Sequence, residues 1–256
     1  ASSLKPQASS LKPQASSLKY CLVIAPSKED VLPDFHPLKA ASVSIVDAIY
    51  SSIFTAGVPV SCPIRRLRQE ADSYYPTDTH WSDLGAYICV RDILETLKID
   101  LPDDFELQFE DMEVAGDLGS KLTPARRSRR KVLARQERSA KLTFDNRVLG
   151  SSGIQIYEND KPVIDDTVLI FGGSSSDQLS RVMAEIFRKI MRVNSPLTMP
   201  IIEVVDTVAP GIVLMQTNAR YLKSCPKLAK TIADSALSKL DHTGFPQGWL
   251  QGKHSG

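Results

Sequence analysis

Asp78 and His80 stand two residues apart in the stretch Tyr74-Tyr75-Pro76-Thr77-Asp78-Thr79-His80-Trp81-Ser82-Asp83-Leu84-Gly85-Ala86, in a chain with only four histidines. An imidazole can act as a general base near neutral pH, and a carboxylate bonded to its other nitrogen fixes the tautomer. What such a pair lacks is a nucleophile. The best candidate is Ser174, in Thr167-Val168-Leu169-Ile170-Phe171-Gly172-Gly173-Ser174-Ser175-Ser176-Asp177. There an apolar, β-branched run ends in two glycines and a serine, as a strand does when it delivers a nucleophile into a tight turn. Ser-His-Asp groups are recognised by roles rather than chain order, so Ser174, His80 and Asp78 form a candidate triad. The competing reading is a buried histidine that caps a turn, with a glycine-serine loop that only connects. Gly172 and Gly173 read as serving the turn's backbone, because no Gly-x-x-x-x-Gly-Lys phosphate pattern follows.

These residues need elements to hold them. Residues 20–25 are a continuous apolar run, consistent with a central strand. A helical pattern covers 41–56, with Gly57 as its stop, and Ile64 to Glu70 makes a turn of helix. A second amphipathic helix covers 83–97, with Ser82 or Asp83 as N-cap. Phe105 to Phe109 alternates like a half-exposed strand, and Gly116-Asp117-Leu118-Gly119 reads as a loop. Phe144 to Leu149 and Ile154 to Tyr157 suggest a hairpin. Residues 177–193 carry the clearest helical pattern, with Leu179, Val182, Met183, Ile186, Phe187 and Ile190 on one face. Ile201 to Val205 fits strand or helix equally, Ile212 to Gln216 is a buried strand, and 227–240 holds a short helical segment. Alternating strands and helices predict a three-layer α/β domain with a mainly parallel central sheet. In such folds functional groups gather at the carboxyl ends of the strands, and Lys28, Ser174, Asn218 and Arg220 each follow an apolar strand directly.

Composition narrows the function. With 31 basic against 30 acidic residues, a globally basic nucleic-acid binder is not indicated. No apolar run reaches the roughly 18 residues needed to span a bilayer. The N-terminus lacks the apolar centre of a signal peptide, so the protein is cytosolic or its targeting segment is absent from this chain. Cys21, Cys62, Cys89 and Cys225 include no CxxC pair, which argues against a metal site. Cys21 and Cys89 read as small core residues. Residues 1–19 repeat ASSLKPQ and read as a disordered tail. The folded domain is then expected over 20–247, with a polar end at 248–256. Arg126-Arg127-Ser128-Arg129-Arg130-Lys131 reads as a solvent-facing segment outside the sheet core; without interleaved aromatics it does not suggest base stacking. Trp81 reads either as a platform for a sugar ring or as a core plug. Lys28 either neutralises an anionic substrate or caps a helix.

In chain order, Val23-Ile24-Ala25-Pro26-Ser27-Lys28-Glu29, the run from Thr77 to Tyr87, Gly116-Asp117-Leu118-Gly119 and the run from Val168 to Ser176 resemble the SGNH-hydrolase-like domain of the alginate O-acetyltransferase family. The likeness runs from about residue 20 to about residue 225, and Asp78-Thr79-His80-Trp81 is its specific part. It implies a serine-dependent O-acetyltransferase acting on an exopolysaccharide through an acetyl-enzyme. Asp78 would orient His80, His80 would be the base, and Ser174 would take and pass on the acetyl group. The family's Gly-Asp-Ser turn stands here as Gly172-Gly173-Ser174. Its Glu-Arg pair after the last strand stands as Asn218-Ala219-Arg220, so only Arg220 carries over directly. Trp81, Arg220, Asn218 and Lys28 are the residues expected to meet substrate. The partners implied are a polysaccharide acceptor and an acetyl donor supplied by a membrane acyltransferase. No metal, organic cofactor or nucleic acid is implied, and the compartment implied is the periplasm. A carbohydrate esterase and a non-catalytic glycan-binding scaffold remain the alternatives.

Overall fold

The computed structural model describes residues 18–35, 46, 53, 57–135, 139–148, 153–194 and 201–222. The heptapeptide repeat, most of the helix expected over 41–56 and the segment expected over 227–240 lie outside the described residues. Val46 and Ile53 are described as helical and pack with Ile24 and Val60.

In chain order the strands are β1 (Lys19–Ala25), β2 (Val60–Ser61), β3 (Phe109–Val114), β4 (Ser128–Leu133), β5 (Lys141–Asp145), β6 (Gly153–Glu158), β7 (Ile164–Gly172), β8 (Phe187–Asn194) and β9 (Ile212–Asn218). A seven-stranded sheet runs in the order β2-β1-β9-β7-β8-β6-β5, and β3 pairs with β4 apart from it. From β2 to β8 all neighbours are parallel, whereas β6 and β5 extend the far edge antiparallel. The helices are α1 (Lys28–Val31), α2 (Ile64–Gln69), α3 (Asp83–Thr96), α4 (Gly116–Gly119), α5 (Ser176–Ala184) and α6 (Ile201–Val208).

The sequence of β7 follows from its place. Val168 and Ile170 pack on one face against Val90 and Ile93 of α3 and Leu179 and Val182 of α5. Leu169 and Phe171 pack on the other face with Met191, Val213 and Val204 of α6. A strand covered on both faces is apolar at every position rather than every second one. This is the mainly parallel three-layer α/β fold expected. Ser82 caps α3 as anticipated, its hydroxyl accepting the Gly85 N–H at 3.0 Å.

Four expectations are corrected. The helix read over 177–193 ends at Ala184, and the chain turns through Glu185 and Ile186 into β8. Leu179, Val182, Met183, Ile186, Phe187 and Ile190 do share one core, but the last two reach it from a strand. Met191 and Val193 belong to the opposite core, which no helix face would allow. The strand read at 105–109 begins only at Phe109 and continues to Val114. Residues 116–119, read as a loop, form the single turn α4. The strand read from Phe144 to Leu149 lies earlier, as β5, and pairs antiparallel with β6; the ambiguous run at 201 is helical.

Candidate active site

Strand β7 carries the chain to the carboxyl end of the sheet, where it turns through Gly172 and Gly173 into Ser174. A Cβ at Gly172 would lie 2.7 Å from Gln216 Oε1 and 2.8 Å from Ser176 Cβ, so only glycine fits. At Gly173 the nearest neighbour would be Gln216 Oε1 at 4.0 Å, and that position has room for a side chain. The backbone requirement read for both glycines therefore falls on Gly172. Two buried side chains hold the turn from the neighbouring strands. Gln216 on β9 accepts the Gly173 N–H at 2.9 Å and donates to Asn218 Oδ1 at 2.8 Å. Arg192 on β8 donates to Ser176 Oγ at 2.8 Å, to Gln155 Oε1 at 2.8 Å and to the Gly173 carbonyl at 3.4 Å. Burial holds the Arg192 guanidinium below its usual range, against the opposing charge of Asp177. Ser174 itself is exposed at the tip.

The histidine comes from a loop between α2 and α3, closed at its ends by a β-bridge from Tyr74 to Trp81. His80 Nε2 lies 2.7 Å from Ser174 Oγ, and His80 Nδ1 lies 2.7 Å from Asp78 Oδ1. A carboxylate can only accept, so the ring proton sits on Nδ1 and Nε2 is left to accept from the serine hydroxyl. Asp78 Oδ1 also accepts the His80 N–H at 2.8 Å, and Oδ2 accepts the Asp117 N–H at 2.9 Å. Burial pushes the Asp78 carboxyl up. Hydrogen bonds from His80, from the Tyr75 hydroxyl and from the two backbone amides outweigh that and hold it well below the usual carboxylate range. Asp78 is thus a fixed anion beside the imidazole.

Of the residues expected to meet substrate, two do other work. Trp81 is 1% exposed, and its indole N–H donates to the Ser175 carbonyl at 3.0 Å. It is the core plug, tying the histidine loop to the serine turn, and has no face to offer a sugar. The Lys28 ammonium donates to the carbonyls of Tyr75, Pro76 and Asp78 at 2.7, 3.1 and 3.0 Å. All three of its N–H bonds are committed to that loop, so it braces His80 rather than a substrate anion. Burial lowers its pKa while Asp78 and Asp117 raise it. Asn218 and Arg220 lie beside the serine turn, and neither bonds Ser174 or His80. With Lys28, Thr79, Leu118 and Ser175 they line a cavity of about 170 Å³. The exposed Arg220 guanidinium sits 5.1 Å over the Tyr221 ring.

Sequence reading missed Asp117, Gln216 and Arg192. Gly116-Asp117-Leu118-Gly119 carried part of the family likeness, but nothing local marks Asp117 as a neighbour of Thr79. Gln216 and Arg192 sit in strands, where only the sheet order reveals what a polar side chain meets. The basic run also needs correction. Arg126, Arg127 and Arg129 are exposed. Arg130, however, is turned inward, with Nη2 3.0 Å from Asp83 Oδ1 and its guanidinium 5.1 Å over the Tyr75 ring. A larger cavity of about 440 Å³, lined by Asp83, Met112, Arg130, Leu142, Tyr157 and Arg181 among others, includes neither Ser174 nor His80. Among the described residues, Asp78, His80 and Asp117 bring ligand-type atoms within 4.8 Å of one another. Their hydrogen bonding is that of a positioned imidazole.

No protein-family model and no curated protein matches the sequence. Solved structures do resemble the fold. Bacillus cereus PatB1 with a sulfonyl adduct is 12% identical, with a TM-score of 0.58 over 80% of this chain and 81% of that one. A DHHW family protein from Eubacterium siraeum is 15% identical, with a TM-score of 0.56 over 80% and 79%. The O-acetyltransferase domain of Pseudomonas putida AlgJ is 16% identical, with a TM-score of 0.52 over 90% and 84%. At such identities the likeness establishes the fold alone, a mainly parallel α/β fold shared with these proteins.

Proposed function

We propose that this chain is a serine-dependent O-acetyltransferase that acts on a polysaccharide through an acetyl-Ser174 intermediate. The observation that carries the reading is the hydrogen-bonded chain from Ser174 Oγ through His80 to Asp78, 2.7 Å at each link. The fold shared with the AlgJ O-acetyltransferase domain supports the choice of acyl transfer, and the sulfonyl adduct of PatB1 is what a nucleophile forms. His80 Nε2 takes the hydroxyl proton as Ser174 Oγ bonds to the acetyl carbonyl carbon, and the imidazolium gives that proton to the departing donor oxygen. A sugar hydroxyl then repeats the cycle in reverse, losing its proton to His80 and releasing Ser174. Asp78 stabilises the imidazolium in both halves. Asn218 and Arg220 would face the incoming substrate. The donor would come from a membrane acyltransferase and the place of action would be the periplasm. Among the described residues no helix is long and apolar enough to cross a membrane.

The exposure of Ser174 favours one further reading, an esterase in which water replaces the sugar. Adding glycan to the acetylated protein separates them: a transferase moves the acetyl group to sugar faster than water removes it. Incubation with a chromogenic acetyl ester should add one acetyl group to the protein, read by intact-mass spectrometry. Ser174→Ala should abolish the label, and His80→Ala should slow labelling roughly a thousandfold or more, because a serine without its base is a poor nucleophile. Label persisting on Ser174→Ala at the wild-type level would move the nucleophile to Ser175 or Ser176. A folded wild type that neither labels nor turns over would end the enzyme reading.

A further inference from the structure

The single turn α4 faces the histidine loop and grips three consecutive residues of it. The N–H groups of Leu118 and Gly119 both donate to the Thr77 carbonyl, at 3.0 and 2.9 Å. The Asp117 N–H donates to Asp78 Oδ2 at 2.9 Å. The Asp117 carboxylate accepts from the Thr79 N–H at 2.8 Å and from the Thr79 hydroxyl at 2.6 Å. Thr79 is the residue between Asp78 and His80, so its backbone sets the angle between the carboxylate and the imidazole. Close approach is built in: Gly116 sits at φ +61°, and a Cβ there would lie 2.2 Å from the Thr77 carbonyl oxygen.

We infer that α4 is a positioning clamp for Asp78 and His80, and that Asp117 is its principal residue. This rests on the reading of Ser174 as nucleophile. Asp117 does not touch substrate; it holds Thr79, and its Oδ2 also lies 3.9 Å from His80 Nδ1, so it steadies the line from Asp78 to Ser174. Catalytic groups lose rate steeply when their supporting hydrogen bonds are removed, typically by about 10- to 100-fold.

The test is the acylation of Ser174 by a small acetyl ester, resolved into kcat and KM, with exchange of the Thr79 amide followed in parallel. Asp117→Ala should lower kcat by roughly 10- to 100-fold, change KM by less than about threefold, and speed Thr79 exchange. Asp117→Asn should recover most of the rate, because its amide oxygen can accept from the Thr79 N–H and its NH₂ can donate to the Thr79 hydroxyl. Thr79→Val removes only the hydroxyl contact and should cost roughly three- to tenfold, so the inference stays testable even if the alanine variant folds poorly. Wild-type kcat in Asp117→Ala would overturn the clamp. So would equal losses in the asparagine and alanine variants, since those would point to charge and not to held geometry. If the wild type itself never acylates, the nucleophile reading falls and the positioning role falls with it; Thr79 exchange then still reports whether the grip itself exists.

Discussion

The serine turn and the histidine loop meet at a distance of 2.7 Å, yet they are held in opposite ways. The serine turn is supported from within the sheet. Gln216 and Arg192 reach it from strands on either side of β7, and the turn opens directly into α5. The histidine loop has little regular structure of its own and is held from outside, by Lys28 near the end of β1 and by α4. Trp81 is the tie between them. The serine's support is therefore part of the core that stabilises the domain, whereas the histidine's support is largely local. Damage to the first should lower stability and activity together. Damage to the second should lower activity with little change in stability.

The largest break is expected at Gly172→Ala. The added methyl would sit 2.7 Å from Gln216 Oε1 and 2.8 Å from Ser176 Cβ, both inside the packed turn. Overpacking of this kind costs about 1–3 kcal/mol, and the shift it forces moves Ser174 away from His80. Ester-dependent labelling should fall at least roughly a hundredfold, since misplacement by about 1 Å can cost that much, while the urea midpoint drops. Unchanged labelling would mean that the turn tolerates displacement and that the serine is not held as described.

The counterpart on the other side is Lys28→Met, which keeps the apolar stem but removes the three bonds to the carbonyls of Tyr75, Pro76 and Asp78. The loop is near solvent, so water can replace those donors and the stability loss should stay within about 1 kcal/mol. The rate of Ser174 acylation should still fall roughly tenfold, because the loop that carries His80 loses one of its supports. A drop in melting temperature as large as that of Gly172→Ala, with no larger loss in rate than stability explains, would erase the distinction between the two regions.

The same contrast explains what could be read in advance. β1, β7 and β9 carry continuous apolar runs, Cys21 to Ala25, Val168 to Phe171 and Ile212 to Met215, because both faces are covered there, and Ser82 announces α3 by its type and position. Asp78 and His80 are visible because their spacing is local. β8 was hidden in a helical pattern: Ile186, Phe187 and Ile190 fit a helix face, and only Met191 and Val193, buried on the opposite side, reveal a strand. The supports of the loop were hidden for another reason. Lys28 bonds backbone carbonyls far along the chain, and Asp117 bonds a threonine, so neither contact leaves a pattern in its own neighbourhood. Trp81 gave no sign of which way it faces, because burial depends on the serine turn it binds.

The smallest effect concerns the basic strand, and it sharpens the contrast because one of its arginines belongs with the histidine loop. Arg126, Arg127 and Arg129 are exposed, and Arg129 pairs with Asp111 at 3.8 Å across the β3–β4 pair. Exposed pairs of this kind contribute about 0–1 kcal/mol. Changing all three to glutamine should leave acetyl-ester turnover within about twofold and the melting temperature nearly unchanged. Arg130 is different, since its guanidinium lies over Tyr75, whose hydroxyl bonds Asp78, and its Nη2 shares the buried Asp83 carboxylate with Arg181. Arg130→Gln should therefore cost stability on the order of 1–3 kcal/mol, because Asp83 loses a charged partner away from water. Turnover should fall a few-fold through Tyr75. Measured side by side by thermal melting and ester turnover, the triple variant and Arg130→Gln should separate clearly. If instead the three exposed arginines govern turnover of a small ester while the fold is intact, the basic strand reaches the reacting groups, and the histidine loop is not held by α4 and Lys28 as described.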